Sequence, residues 1–410
     1  VVLCVTSLIA LLVHPTIIRA GDWPQILGPH RNGVADNEQL LPTWPKDLRP
    51  EWTHAVGSGY GGPAVVGSRV VIFHRDKKGE RVEALHAATG RVIWSRLFSA
   101  TYRGGIDPDT GPRCVPVIER NKVYLHGAAG DLHCVSLTDG KHIWTREALS
   151  EYRGSEGFFG AGSTPIVADN KRLVNVGGRG AGIVAFDLDT GETVWKATDE
   201  QASYSSPTLA NIGGERRVIF VTRYKTLAMD PATGQVLFSV PFGQRGPTVN
   251  AATPIYADGR LFLSASYGVG SKMLSVRGAE ADEVWSSQNV LSSQYATCIL
   301  RDGFLYGIHG REDVGNAVLQ CVDASNGELK WTEKQFGTAH LISVGDRLLM
   351  LTIKGELLQF QPNPDRFEPM ANARVSGLIT RSLPALSNGR LYLRENNSSN
   401  TRLMCFKVGQ

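Results

Sequence analysis

Long runs of one charge are missing from this chain, and so are neighbouring cysteines, a C-x-x-C pair, an H-E-x-x-H motif and a P-loop lysine. Lys plus Arg number 43 against 39 Asp plus Glu, a formal charge of +4 without clusters. No polybasic stripe exists to neutralise a phosphate backbone, which sets a nucleic-acid partner aside. With 42% hydrophobic and 20% charged residues, disorder, coiled coil and collagen are excluded as well. The string "GSGYGG" at Gly57 to Gly62 satisfies G-x-G-x-x-G in letters only. It joins two strands, and no helix follows whose N-terminus would take a pyrophosphate. His74, His126 and His309 end strands in three separate repeats, the third too far around the ring to join the others on one ion, and are expected as solvated or hydrogen-bonded loop histidines.

What the chain does have is turn chemistry, with 45 Gly and 20 Pro. It also has one apolar run at its start. Val1 to Val13 is apolar apart from Thr6 and Ser7, His14 and Pro15 interrupt it, and Ala20 precedes Gly21 and a polar stretch. That pattern predicts a secretory signal over 1–20 cleaved near Ala20, an uncleaved anchor being the alternative. Leu3 before Cys4 is too large for a lipidation site. The expected location is the periplasm or cell envelope, with membrane contact only through an uncleaved N-terminal segment or a partner.

Self-similarity decides the fold. "ATGRVIW" ends at Trp94, "TDGKHIW" at Trp144, "DTGETVW" at Trp195, "ATGQVLF" at Phe238 and "SNGELKW" at Trp331; in each, Gly precedes the aromatic by four. Degenerate copies place Trp285 after Ala281 and Phe367 after Asn363. Upstream of each lies a short apolar run, a turn and a second apolar run, opened at Pro63, Pro116, Pro165, Pro207, Pro254, Cys298, Leu341 and Pro384. These eight copies recur about every 46 residues, the length of a four-stranded propeller blade. The expected order is strand A, tight turn, strand B, loop, strand C, Gly turn, strand D with its aromatic between blades.

The eighth copy lacks a strand D, and "PEWTHAV" at Pro50 to Val56 supplies one carrying Trp52. The fold class is therefore all-β, a closed eight-bladed propeller of four-stranded antiparallel blades over 50–410. Its N-terminal strand completes the last blade and removes two edges. Residues 21–49 are an extension packed on it. Six residues before the motif Gly stand Ala84, Cys134, Ala185, Ala228 and Cys321, with Cys405 equivalent. Cysteine in an alanine slot acts as a small hydrophobe, so no disulfide is expected.

These residues carry a resemblance. Ala185 to Trp195 resembles the tryptophan-docking repeat of pyrroloquinoline quinone (PQQ) dehydrogenases, which BamB-like exported propeller proteins share. "DWPQILGPHRNG" at Asp22 to Gly33 and the strings "GPR", "YSSP" and "NAATP" are similar to the BamB-like group. The resemblance covers roughly 22–408 and implies the fold strongly and the function weakly, because one scaffold hosts enzymes and binding proteins. For a PQQ enzyme it implies adjacent cysteines over the quinone, a Trp platform beneath it, and Glu, Asn and Asp on calcium. Adjacent cysteines and a loop Trp are missing; Asn250 with Asp107 or Asp109 would suit an oxygen-seeking cation, but such residues also form turns. No catalytic residue, metal or cofactor is therefore assigned, and a PQQ-dependent dehydrogenase with calcium is the alternative.

Loop length points to the working face. D-to-A and B-to-C loops emerge together and are longer than the opposite turns. Tyr60, Tyr102, Tyr152, Tyr204 and Tyr295 follow the blade aromatics by eight to ten residues. Arg103, Arg113, Arg153 and Arg245 accompany them, Asn250 stands nearby, and Arg179, Tyr224 and Tyr267 come from B-to-C loops. Tyr and Arg combine large contact area with directed hydrogen bonds, the signature of binding hot spots; capping of blade seams is the competing reading. The function that follows is an exported noncatalytic scaffold that binds an envelope protein or ligand on this face.

Overall fold

In the computed structural model, which describes residues 21–396 and 401–410, eight sheets form the ring. The expected signal over 1–20, with Cys4, lies outside the described residues. Blade 1 comprises Ala64–Val66, Arg69–Asp76, Gly79–His86 and Val92–Phe98 as strands A to D from the inside out. The other innermost strands are Val117–Glu119, Ile166–Ala168, Thr208–Ile212, Ile255–Ala257, Ile299–Arg301, Ala339–Val344 and Ala385–Ser387, so each apolar run found in the sequence opens a blade. Trp52–Ala55 completes blade 8 against Arg402–Lys407, with Trp52 opposite Cys405. No unpaired edge is left at the point of closure.

The small slot of strand C has a physical reason. Ala84, Cys134, Ala185, Ala228, Cys321 and Cys405 lie directly across from Trp94, Trp144, Trp195, Phe238, Trp331 and Trp52, and all are fully buried. A small residue there leaves room for the ring; blade 5 instead sets the flexible Met273 across from Trp285. Each Trp then docks on the next blade. The indole Nε1–H groups of Trp52, Trp94, Trp144, Trp195, Trp285 and Trp331 donate to Ala87, Leu137, Leu188, Pro231, Ala324 and Asn363 carbonyls at 2.9–3.1 Å. The motif glycine lies under the ring. Gly191 has φ +73°, and a Cβ there would stand 2.7 Å from Trp144, so both backbone conformation and space demand glycine. The five described cysteines are free and buried.

Blade 7 departs from the expected pattern. Phe367, assigned above as its seam aromatic, precedes the outer strand Glu368–Arg374 and packs on Trp331, Phe336 and Phe360 in the seam with blade 6. Opposite the slot residue, here Gln359, stands Ala371. Two extra residues in the C-to-D turn shift the register, and the phase counted from Asn363 therefore misplaces the aromatic. The extension fills the gap. Trp44 donates its Nε1–H to Val408 O at 3.1 Å, three residues after Cys405, where the other blades receive a Trp. Gln359 holds this segment by donating from Nε2 to Leu41 O at 2.9 Å and Pro42 O at 3.2 Å.

The rest of the extension enters the axis from the A-to-B turn face. Asp22 accepts from Gly67 N at 2.8 Å, Trp23 pairs with Val65 of blade 1, and Pro24 O accepts from Ile118 N of blade 2. Arg31 is fully buried. It donates from Nη1 to Thr164 O and Pro207 O and from Nη2 to Pro165 O, at 2.6–3.1 Å, the heads of the inner strands of blades 3 and 4. Gly33 leaves room for Ile299 of blade 6, and Val34–Ala35 adds a parallel fifth strand to blade 7. The string "DWPQILGPHRNG" is thus a plug that bonds peptide groups of blades 1, 2, 3, 4 and 7.

Candidate functional site

Each D-to-A loop must cross from the rim of one blade to the inner strand of the next, which carries its residues toward the axis. The loops stay close because glycine lets backbones touch. Cβ atoms on Gly59, Gly61 and Gly62 would stand 2.1–2.7 Å from carbonyls of Pro112, Cys114 and Leu383. "GSGYGG" is therefore a close-approach segment wedged between two neighbouring loops.

Around the mouth of the axis the loops bring together Tyr60, Tyr102, Arg113 and Tyr295. Tyr60 donates its hydroxyl to Asp107 Oδ2 at 2.9 Å, and Arg113 lies over the rings of Tyr60 and Tyr102 at 5.3 and 5.6 Å. Arg113 also pairs with Asp109 at 3.1 Å. Across the mouth Tyr295 donates to Glu312 Oε2 at 2.6 Å, and Arg381 grips both Glu312 oxygens at 2.8 and 3.0 Å. Burial, then the Asp107 hydrogen bond, pushes the Tyr60 phenol up to about 12; burial and Glu312 push Tyr295 well above its ordinary value. Both hydroxyls are thus protonated donors at neutral pH. Glu312 and Arg381 were not singled out, and Asp107 only as a ligand for a cation, because which loop residues meet is decided where separate loops converge on the mouth.

Several expected face residues stand elsewhere. Tyr102 is 2% exposed, packed beneath Arg113 and against Gly160, rather than presented to solvent. Tyr152 turns into the seam of blades 2 and 3, against Phe186 and bonded to Thr193. Asn250 is buried and braces the backbone, donating to Thr222 O at 2.8 Å and accepting from Tyr204 N at 2.9 Å. These corrections share one cause: a long loop that crosses a seam buries part of itself there. Tyr204 is half-buried, accepting from Phe159 N at 2.8 Å, and Tyr267 lies under Arg311 at 4.3 Å. Arg103, Arg153 and Arg179 are exposed. Phe158, Phe159 and Ile106, missed in the sequence, join the same surface; Ile106 is 68% exposed and donates its N–H to Phe158 O.

The arrangement can bind through rings and guanidinium groups, but a quinone with calcium fits it poorly. Asp107, Asp109 and Glu312 are already taken up by Tyr60, Arg113, Tyr295 and Arg381, and Asn250 by backbone. Arg31 fills the axis below the mouth. The cavity behind Tyr204, lined by His126, Ser163 and Asn175, measures about 20 Å³, room for a water.

A family model described as outer membrane protein assembly factor BamB matches residues 78–333. The chain is similar to the outer membrane protein assembly factor BamB of Kangiella koreensis, 26% identical over 214 residues, 51% of this chain and 49% of that protein. It is also similar to the quinohemoprotein alcohol dehydrogenase of Comamonas testosteroni, 30% identical over 199 residues, 45% of this chain and 26% of that protein. The chain thus spans about half or less of the length of these relatives. In fold it is similar to BamB from Moraxella catarrhalis, TM-score 0.61 at 15% identity, covering 87% of this chain and 97% of that one. A europium-containing methanol dehydrogenase superposes with TM-score 0.71 at 12% identity, covering 95% and 98%.

Proposed function

The chain belongs to the family described as outer membrane protein assembly factor BamB, and on that premise we propose that it is an exported, noncatalytic binding and assembly scaffold of the bacterial cell envelope. Its working surface is the D-to-A and B-to-C loop face, and its partner is an envelope protein. The observation that carries this reading is the pairing of fixed and exposed side chains on that face. Tyr60, Asp107, Arg113, Tyr295, Glu312 and Arg381 are fixed by mutual bonds, while Arg103, Arg153, Arg179 and Ile106 of the same loops are exposed. Fixed side chains beside exposed Arg and apolar ones lower the ordering cost of association.

A quinone-dependent dehydrogenase is the second reading, favoured by the 30% identity over 199 residues to the alcohol dehydrogenase above. The filled axis and the occupied carboxylates support the scaffold instead. Two experiments separate them. Photo-crosslinking residues placed at Arg103 and Arg153 should trap a defined envelope protein in cells, whereas the same group at Asp139 or Glu192, in the turns of the opposite face, should not. Titration of the purified protein with PQQ and Ca²⁺ should give neither a bound chromophore nor dye reduction with an alcohol; stoichiometric binding and turnover would replace the scaffold by the enzyme.

A further inference from the structure

Apart from Arg113, held by Asp109, and Arg146, held by Glu151, the loop arginines of the two halves of the face differ in how they are neutralised. Over blades 5 to 8 the loop arginines are bound to carboxylates, Arg311 to Asp313 at 3.0 Å and Arg381 to Glu312. Over blades 1 to 4, Arg103, Arg153, Arg179 and Arg245 are exposed, and none has a carboxylate partner among the described residues. Arg223 joins them, stacked at 5.5 Å on both Phe158 and Tyr224 with Nη2 on Gly246 O at 2.5 Å. These loops form one surface, because Ile106 N bonds Phe158 O, Phe159 N bonds Tyr204 and Arg223 N bonds Gln201 O.

Resting on the loop-face reading above, we propose that this sector binds an acidic protein segment. The occupant is an extended stretch with spaced carboxylates and an apolar side chain between them. Arg103, Arg153, Arg179 and Arg245 take the carboxylates, since the planar guanidinium fork matches them in two-bond geometry. Ile106 and the Phe158–Arg223–Tyr224 stack take the apolar group. A polyanion such as nucleic acid or an anionic lipid surface fits less well. Glu147, Glu156 and Asp199 are exposed among the arginines and would repel an evenly spaced row of phosphates. A peptide can place its charges between them.

The test uses the full chain and a short fluorescein-labelled peptide in which Asp and Glu alternate with Leu and Phe, beside its Asn/Gln isostere, read by fluorescence anisotropy. The acidic peptide should bind saturably and weaken as salt rises from about 0.05 to 0.3 M. The isostere, and the variant Arg103→Ser, Arg153→Ser, Arg179→Ser, Arg245→Ser, should each lose at least about ten-fold in affinity. All four side chains are exposed, so the variant should keep its melting temperature; the single change Arg179→Gln gives a second, milder reading in the same direction. The turn-face pair Asp139→Ala, Glu192→Ala should bind as the parent does. Equal binding of the isostere, an unaffected quadruple variant, no saturable binding, or tighter capture of phosphatidylglycerol vesicles or DNA through the same arginines would overturn the proposal. Crosslinking from Arg103 that still traps an envelope protein would then leave the loop-face reading standing and remove only the acidic segment.

Discussion

Between most neighbouring blades the seam is closed from within the repeat: an aromatic of one strand D lies over the glycine turn of the next blade, as Trp144 does over Gly191. Between blades 7 and 8 the same place is taken by Trp44, from a segment that precedes the whole ring. The two kinds of seam make the same hydrogen bond and bury the indole equally, yet one is local in sequence and the other spans 364 residues. A repeat protein is close to a sum of nearest-neighbour terms. Here the extension replaces one of those terms and fills the axis as well, so it is a structural part of the ring rather than a linker.

The largest effect should come from removing the rings themselves. Trp144→Ala and Trp44→Ala are each expected to cost about 3–5 kcal/mol in urea unfolding, as deletion of a buried aromatic does. Near-equal losses would place the two seams on one footing; a cost below about 1 kcal/mol for Trp44 would show that the extension merely lies on the surface. Next come the glycines under the rings. Gly191→Ala adds a clash with Trp144 to an unfavourable φ and should cost about 2–3 kcal/mol, against about 1 kcal/mol for Gly213→Ala, which has φ +63° and open space.

A seam between ordinary blades also holds a titrating group. Glu80 of blade 1 is 2% exposed and accepts from Ala128 N of blade 2 at 2.8 Å; burial, against that bond, pushes its carboxyl up to about 7 from 4.5. An acid whose folded value is raised favours the folded state below its unfolded value, and that advantage is lost as pH rises through the folded one. Glu80→Gln keeps the bond to Ala128. It should match the parent at pH 4 and exceed it by about 2 kcal/mol at pH 8, measured as urea midpoints. A constant difference across that range would mean that Glu80 does not titrate on unfolding. The smallest effect belongs to the slot opposite the rings: Cys134→Ala, which puts in blade 2 what Ala84 and Ala185 provide in blades 1 and 3, should change the melting free energy by less than about 1 kcal/mol.

Most of the fold was legible because five of the eight seams write themselves twice at fixed spacing, once as a Trp and once as the glycine that must lie under it. Trp52 opposite Cys405 was legible for the same reason, as a strand D without a blade and a blade without a strand D. The candidate site was less so. Counting from the aromatics placed Tyr60, Tyr102 and Tyr295 near one mouth, but their distance from Trp says nothing about depth, and Tyr102 and Tyr152 turned inward where a loop crosses a seam. Signals for the two missed elements were present. Trp44 was a tryptophan outside the register, and Gln359 was a polar residue where six blades place Ala or Cys and blade 5 places Met273.

By itself the sequence determined the blade number, the strand order, the closing strand and the chemistry of the seams, because those depend on residues about one repeat apart and on a periodicity that the chain shows repeatedly. Only the tertiary structure decided that Arg31 fills the axis, that Trp44 completes blade 7, that Phe367 belongs to the earlier seam, and that Asp107 and Glu312 orient Tyr60 and Tyr295. Arg31 bonds carbonyls 133 to 176 residues away, and Arg381 reaches Glu312 across 69 residues. Contacts of that kind follow from where the closed ring puts separate loops, and no spacing within one repeat encodes them.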